Sequence, residues 1–465
     1  MTPDDAVGAA RSAAPGWAAA RPERRAEVLL RIAEALEDSR DGLVRLADEE
    51  TRLGPERLNA ELTRTTFQLA MFAGEVRNGA FYGARIDRPD PAWPTGPRPD
   101  LRRYRTALGP VLVFAAGNFP FAFGVAGGDA SSAWAAGCPV VVKAHPGHPR
   151  LSRRTAEVIA ATGLPDGVFG LIEGEAEGVA ALRHPDMAAA AFTGSKRGGL
   201  ALAAIAAERP VPIPFYGELG SVNPSVVTPR AAKARADEII SGYTASLTLG
   251  AGQFCTNPGL LFAPPALLDG ISARLREAPG APMLNERIRT AYLEAVNALA
   301  SRPGIHRRVW PDGASTAPRL LTMDLAAFEA DREAATEECF GPLGLVVTYD
   351  DLADVAAVLP DLPGQLTTSL HAEDEEISDL AALAASLADR SGRVLWNQWP
   401  TGVSVTNAMH HGGPYPATTG LAATSVGTAA IDRFLRPVAF QGWPQELLPP
   451  PLRDDNPWKI PQTTW

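Results

Sequence analysis

The stretch Gly250-Ala251-Gly252-Gln253-Phe254-Cys255-Thr256-Asn257-Pro258-Gly259 places one cysteine among glycines and small residues, with no charged side chain beside it. A thiolate attacks carbonyl carbon readily, provided a substrate can come close. Flanking glycines remove side-chain bulk and let the backbone bend sharply. The plainer reading is a buried thiol acting as a small hydrophobe. Glu218, in Tyr216-Gly217-Glu218-Leu219-Gly220-Ser221, has apolar and glycine neighbours; burial raises a carboxylate's pKa and suits it to general-base work, whereas an exposed loop acid does neither. Asn118, ahead of Phe119-Pro120, is placed either to donate its amide to a developing oxyanion or to close an Asx-turn.

Other constellations carry less. Cys138, His145 and His148 match no common zinc spacing, and no fourth ligand accompanies them, so no metal is expected. His410 and His411 read as polar loop residues. No Gly-x-Gly-x-x-Gly follows the first apolar strand, and no P-loop is present. Gly194, Gly198 and Gly199 would let a helix N-terminus approach a phosphate, a weak signal alone.

These residues need a scaffold. Short apolar runs at Val111–Ala115, Val140–Val142, Val168–Ile172, Ala188–Phe192 and Ser225–Val227 alternate with helical patterns or Gly/Pro punctuation, which predicts parallel βαβ units. Ligands of such sheets bind beyond the strands' carboxyl ends, where Asn118, Lys143 and Phe192-Thr193-Gly194-Ser195 fall. Upstream, Val28, Leu29, Ile32, Leu36 and Leu43, then Leu62, Leu69, Phe72 and Val76, recur at helical spacing. Residues 86–100 hold five prolines and read as a crossing linker. Helices are expected at Ala232–Thr248, Leu284–Leu299 and Ile377–Leu387, strands at Leu345–Thr348 and Val394–Asn397, and loop at 303–318. Residues 402–427 read as a long ordered loop and 436–465 as a wrapping tail.

At 465 residues, two or three domains are expected. A net charge of -10 argues against nucleic acid or an anionic membrane surface as partner. Three cysteines suggest no disulfide framework and fit a reducing cytoplasm. The acidic N-terminus lacks a signal-peptide core, and the uncharged run 111–128 contains Asn118, Pro120 and four glycines, which suits strand and loop better than a membrane span.

Six motifs in one order resemble the aldehyde dehydrogenase superfamily, and within it the α-ketoglutarate semialdehyde dehydrogenase branch, from about residue 10 onward. They are Gly117-Asn118-Phe119-Pro120, Val142-Lys143-Ala144-His145-Pro146, Phe192-Thr193-Gly194-Ser195, Glu218-Leu219-Gly220-Ser221, Gln253 to Gly259, and Glu338-Cys339-Phe340-Gly341-Pro342. The resemblance implies an α/β fold: a parallel-sheet cofactor domain over 1–220 with a crossing segment at 96–107, a catalytic α/β domain over 221–415, and a return with an oligomerisation tail over 416–465. It implies Cys255 as nucleophile, Asn118 as oxyanion donor and Glu218 as activator of the hydrolytic water. Lys143, with His145, Pro146 and Arg197, would meet the adenosine ribose. Gly194 and Ser195 would meet the pyrophosphate, and Leu219, Glu338 and Phe340 the nicotinamide side. Phe119, Phe123, Phe254 and Trp399 would wall the substrate pocket. Pro146 stands where NAD-preferring members often carry glutamate, so no carboxylate is expected to oppose a 2′-phosphate, and NADP is favoured with NAD tolerated. The family further implies a homodimer or homotetramer in which strands near 100–107 and 436–441 bridge subunits.

Departures from the family pattern are expected at the N-terminus, which reads as shortened and without the strands that usually precede the first helix, in a short segment between Cys255 and Glu338, and at Gln398 and Ser404 near the pocket. Three rivals stand beside this reading: a cofactor-independent thioesterase or acyltransferase, a non-catalytic scaffold, and reductive use. The Lys143, Ser195 and Glu338 set opposes the first, intact Cys255, Glu218 and Asn118 the second, and Glu218 the third.

Overall fold

In a computed structural model of the chain, the described residues are 1–313 and 315–465. Four helices come first, at Pro3–Ala18, Pro22–Asp38, Arg40–Thr51 and Pro55–Asn78. Three of them carry proline in the first turn, where its missing N–H costs nothing. The stripes foreseen in the sequence face each other: Val28, Leu29, Ile32 and Leu36 pack with Leu62, Leu69, Phe72 and Val76, all buried. Each such side chain contributes about 1.5–3 kcal/mol on burial. The fourth helix stops at Gly79, whose φ of 68° suits glycine and whose Cβ would strike Ile460.

These helices cover a five-stranded parallel sheet in the order 169–172, 140–143, 111–114, 189–193, 215–218. Val111–Phe114 and Val140–Lys143 are buried on both faces, which accounts for their continuous apolar runs. The chain starts at the central strand, adds two strands on one side, and then returns to the other side. That reversal opens a crevice at the carboxyl ends of the central strands. Phe215–Glu218, the fifth strand, is absent from the sequence expectations because Gly217 and the polar ending mask its period.

A second sheet has seven strands, ordered 306–309, 319–324, 343–348, 260–263, 225–227, 365–371, 391–396, parallel except at its first pair. The expected helix at 232–248 is two, Pro229–Ala234 and Ala236–Thr248, broken at Arg235. The helix expected from Ile377 begins at Ala381, after a one-turn segment closed by a Glu373/Glu376 capping box. The loop read at 303–318 contains the strand His306–Val309.

A third sheet is ordered 435–441, 101–107, 84–87, 462–464, and residues 88–100 cross between two of its strands, so the linker read at 86–100 begins inside strand 84–87. The two strands expected to bridge subunits pair with each other within one chain, Leu435 opposite Ala107 and Gln441 opposite Leu101. Among the described residues, no helix is long and apolar enough to cross a membrane.

Candidate active site

Three consecutive residues, Gly250, Ala251 and Gly252, have positive φ (58°, 56° and 67°) and turn the chain from helix 236–248 into the cysteine loop. A Cβ on Gly252 would lie 2.3 Å from the Gly341 carbonyl carbon, so glycine there is required by close backbone approach. Asn223 then ties the loop down. Its Nδ2 donates to the carbonyls of Cys255 (2.8 Å) and Asn257 (2.9 Å), and its Oδ1 accepts from Thr367 Oγ1 at 2.8 Å. Gln365 Oε1 accepts from Ser221 Oγ and the Val222 and Asn223 amides. The strand Gln365–His371 is buried although mostly polar, because its side chains hold this loop.

The loop delivers Cys255 to a cleft of about 690 Å³, within the usual range for small-molecule sites. The cleft runs along the carboxyl ends of the first sheet. Asn118, Phe119, Phe123 and Glu218 line it near Cys255, and Lys143, His145 and Pro146 line its far part. Gly194, Ser195, Arg197, Leu219, Glu338 and Phe340 complete the lining among residues singled out in the sequence. Asn118 Nδ2 donates to the Gln253 carbonyl at 3.1 Å. The Asn118 segment is braced from helix 55–78: Arg57 Nη2 donates to the Asn118 carbonyl (2.7 Å), and Glu61 Oε1 accepts from the Phe121 and Ala122 amides (2.7 and 2.9 Å).

Glu218 ends its strand 4% exposed. Burial pushes its pKa up, but the adjacent His411 and the hydrogen bond from Ser425 Oγ more than offset this, leaving it below the ordinary value. Cys255 is held well above the ordinary thiol value, first by burial and then by the Glu218 charge. Burial also pushes Glu338 up to about 8. His411, read in the sequence as a loop histidine, is instead fully buried at the centre. Its Nε2 lies 3.4 Å from Cys255 Sγ and 2.8 Å from Glu218 Oε1. No sequence signal distinguished it from His410, since both sit in Gly/Pro-rich chain whose folding onto residue 218 depends on tertiary structure.

Residues 2–287 match the profile of the Aldehyde dehydrogenase family. The chain belongs to this family. An Azospirillum brasilense protein named Alpha-ketoglutaric semialdehyde dehydrogenase 2 is 45% identical over 97% of this chain and 89% of its own length. An Acinetobacter baylyi Alpha-ketoglutaric semialdehyde dehydrogenase is 42% identical over 94% and 86%. The solved structure of aldehyde dehydrogenase 21 from Physcomitrella patens, in complex with the reaction product succinate, shares the fold at a TM-score of 0.79 and 21% identity, over 94% of this chain and 89% of that one. As an NAD(P)-dependent aldehyde dehydrogenase, the protein oxidises an aldehyde to the carboxylic acid, and the cofactor-free thioesterase and scaffold readings are not favoured.

The cleft of this aldehyde dehydrogenase fits a dinucleotide on its own evidence. Ser195 caps the helix Lys196–Ala207, accepting from the Gly198 amide at 3.3 Å, so the helix N-terminus opens into the cleft. A Cβ on Gly220 would meet Glu338 Oε2 at 2.2 Å, which keeps this wall glycine-thin. Three expectations change. Trp399 does not line the cleft: it lies 4.1 Å (ring centres) from His371 and 5.3 Å from Tyr243, packed over helix 236–248. Phe254 meets Phe119 edge-on at 5.4 Å but borders a smaller cavity beside Glu338 and Cys339. A carboxylate does stand near Lys143, contrary to expectation: Glu175, in the first turn of helix Glu175–Arg183, lines the same part of the cleft. It arrives from a different element than the segment around Pro146. Arg287, on a helix that covers the cleft, was also missed.

Proposed function

We propose that this aldehyde dehydrogenase oxidises α-ketoglutarate semialdehyde or a related semialdehyde, with Cys255 as nucleophile, Asn118 as oxyanion donor and Glu218 as the base for hydrolysis. The substrate reading draws on the names of relatives at 45% and 42% identity. The observation that carries the chemistry is Cys255 and Glu218 meeting at one end of the cleft, with Asn118 on its wall. Cys255 sulfur adds to the aldehyde carbon, and the Asn118 amide stabilises the oxyanion. The bound nicotinamide supplies hydride acceptance, which leaves the acyl group on sulfur as a thioester. Glu218 takes a proton from water, the hydroxide adds to the acyl carbon, and the acid leaves Cys255.

Lys143, Ser195, Arg197, Glu338 and Phe340 hold the cofactor in this reading, with His145, Pro146, Gly194 and Leu219 shaping its walls. NADP is the preferred acceptor because Pro146 places no acid beside Lys143 and Arg197 is exposed at the same opening, with Glu175 as the group that limits the preference. We further propose the division into cofactor domain (1–220), catalytic domain (221–415) and returning tail (416–465), a cytoplasmic setting, and a homodimer or homotetramer joined along the edge strand Leu435–Gln441.

A panel of aldehydes tests the assignment with NADP and with NAD, comparing wild type with Cys255→Ala. It includes α-ketoglutarate semialdehyde, succinate semialdehyde and medium-chain aliphatic aldehydes. The expected result is formation of reduced cofactor with the dicarboxylate-derived semialdehydes, lost in the variant. Turnover confined to aliphatic aldehydes would overturn the substrate assignment. Turnover that survives Cys255→Ala would overturn the mechanism.

A further inference from the structure

Two protons must move in each turnover, one from the Cys255 thiol and one from water, and Glu218 can hold only one at a time. The structure assigns the first to His411: we propose that His411 is a fourth catalytic residue, taking the Cys255 proton as sulfur attacks and returning it when the acyl group departs. The inference rests on Cys255 being the nucleophile and names a group outside the trio above.

The geometry carries it. One nitrogen, Nε2, contacts both the sulfur (3.4 Å) and the Glu218 carboxylate (2.8 Å). The three groups lie within 4.8 Å of one another. The other ring nitrogen, Nδ1, is buried and has no hydrogen-bond partner among the described residues. A histidine's tautomer is set by the bond its second nitrogen makes. Nδ1 makes no such bond, so the tautomer is governed by the two groups that share Nε2, the thiol and the carboxylate. The backbone meanwhile is pinned: the His411 amide donates to Thr424 Oγ1 at 2.8 Å, and its carbonyl accepts from the Ser425 amide at 2.9 Å. The ring is therefore held where a proton carrier is needed.

Electrostatics make the same demand. A buried thiol beside Glu218, with Glu338 also felt, resists ionisation. Arg64 and Arg393 act on Cys255 through charge alone, and a guanidinium offers no site to accept its proton. The charged or titratable groups around His411 are Glu218, Cys255 and His410, with Arg433 across a small cavity. A proton moved from sulfur to Nε2 converts thiol and imidazole into thiolate and imidazolium, with the cation between two anions.

The balance closes. The S–H bond breaks and N–H forms as the C–S bond forms. After hydride leaves and hydroxide adds, the C–S bond breaks and Nε2 returns its proton to sulfur. The proton from water departs through Glu218 to solvent with the acid product.

Alkylation of Cys255 by iodoacetamide reads attack of the sulfur on carbon together with the base that takes its proton, and needs neither aldehyde nor cofactor. It is measured by mass on the full chain from about pH 5 to about pH 10, with Cys255→Ala correcting for Cys138 and Cys339. Wild type is expected to react on a plateau reached by about pH 7, whereas His411→Gln loses about a hundredfold there and recovers only in the ordinary thiol range. Glu218→Gln is expected to keep the neutral-pH plateau. A single wild-type inflection above about pH 8.5 overturns the proposal without any variant, so a variant that fails to fold does not shelter it. An unchanged profile in His411→Gln overturns it too, as does a loss in Glu218→Gln equal to that in His411→Gln, which would make Glu218 the acceptor. Failure of the semialdehyde panel alone leaves this test intact, because iodoacetamide reports on the thiol and not on the substrate.

Discussion

The two ends of the cleft are built differently. Around Cys255 the polar groups are buried and cross-linked: Glu218 meets His411 and Ser425, Asn223 holds two loop carbonyls, and Arg57 and Glu61 brace the Asn118 segment. Around Lys143 the cleft is a balance of charges, with Glu175 opposing Lys143, Arg197 and Arg287, and no hydrogen bond joins Glu175 to the lysine. Preorganised dipoles are worth most where charge develops during reaction. Cofactor recognition needs only enough binding and selectivity, and loose charges provide both at little structural cost. Substitutions at the first end are therefore expected to act on rate or folding, and those at the second on preference.

The largest effect is expected from Cys255→Ala, which should lower kcat/KM by about 10⁴-fold or more while cofactor binding, followed by fluorescence quenching, persists. Next, Glu218→Gln should leave one equivalent of reduced cofactor forming in a burst and slow the steady state by about 10²–10⁴-fold; steady turnover without a burst would contradict its placement at hydrolysis. Asn223→Ala removes the loop's ties and puts alanine at a φ of 49°, so it should cost about 2–4 kcal/mol in urea unfolding. At the other end, Glu175→Gln should move the NADP-to-NAD ratio of kcat/KM by only about tenfold toward NADP with kcat nearly unchanged; a large fall in kcat would erase the distinction between the ends. The last effect is one of pH and concerns Glu338. Its folded pKa, raised to about 8, exceeds its ordinary 4.5, so the neutral form suits the fold. The associated stability is full below the lower value and is lost as pH rises through the higher one. Glu338→Gln should consequently gain in Tm relative to wild type as pH goes from about 4.5 to about 8.

What could be read from the chain follows from locality. The stripes of helices 22–38 and 55–78, and the runs at 111–114 and 140–143, are local patterns, so their elements were expected within a few residues. Cys255, Glu218 and Asn118 carry their signal in adjacent small residues that a reactive group needs around it. His411 and Glu175 carry none: each matters through a neighbour far along the chain, Glu218 for one and Lys143 for the other. The strands Phe215–Glu218 and Gln365–His371 were missed because glycine or polar residues replace the apolar alternation, the first to end in the site and the second to support it. Trp399 failed for the opposite reason. An aromatic near a pocket motif looks like a wall, yet its packing partners, Tyr243 and His371, lie on elements that proximity in sequence does not reveal.

The return of the tail also sets an order in time. The ribosome releases Glu218 and Cys255 well before His411 and Ser425, so a growing chain holds its thiol and carboxylate before the imidazole that joins them. The small sheet closes later still, when Gln462–Thr464 pairs with Ala84–Ile86. Contacts spanning so much of the chain form slowly, because a long loop must close before they reward it. The end of the cleft around Cys255 is thus assembled only after the chain from His411 onward has folded back onto it.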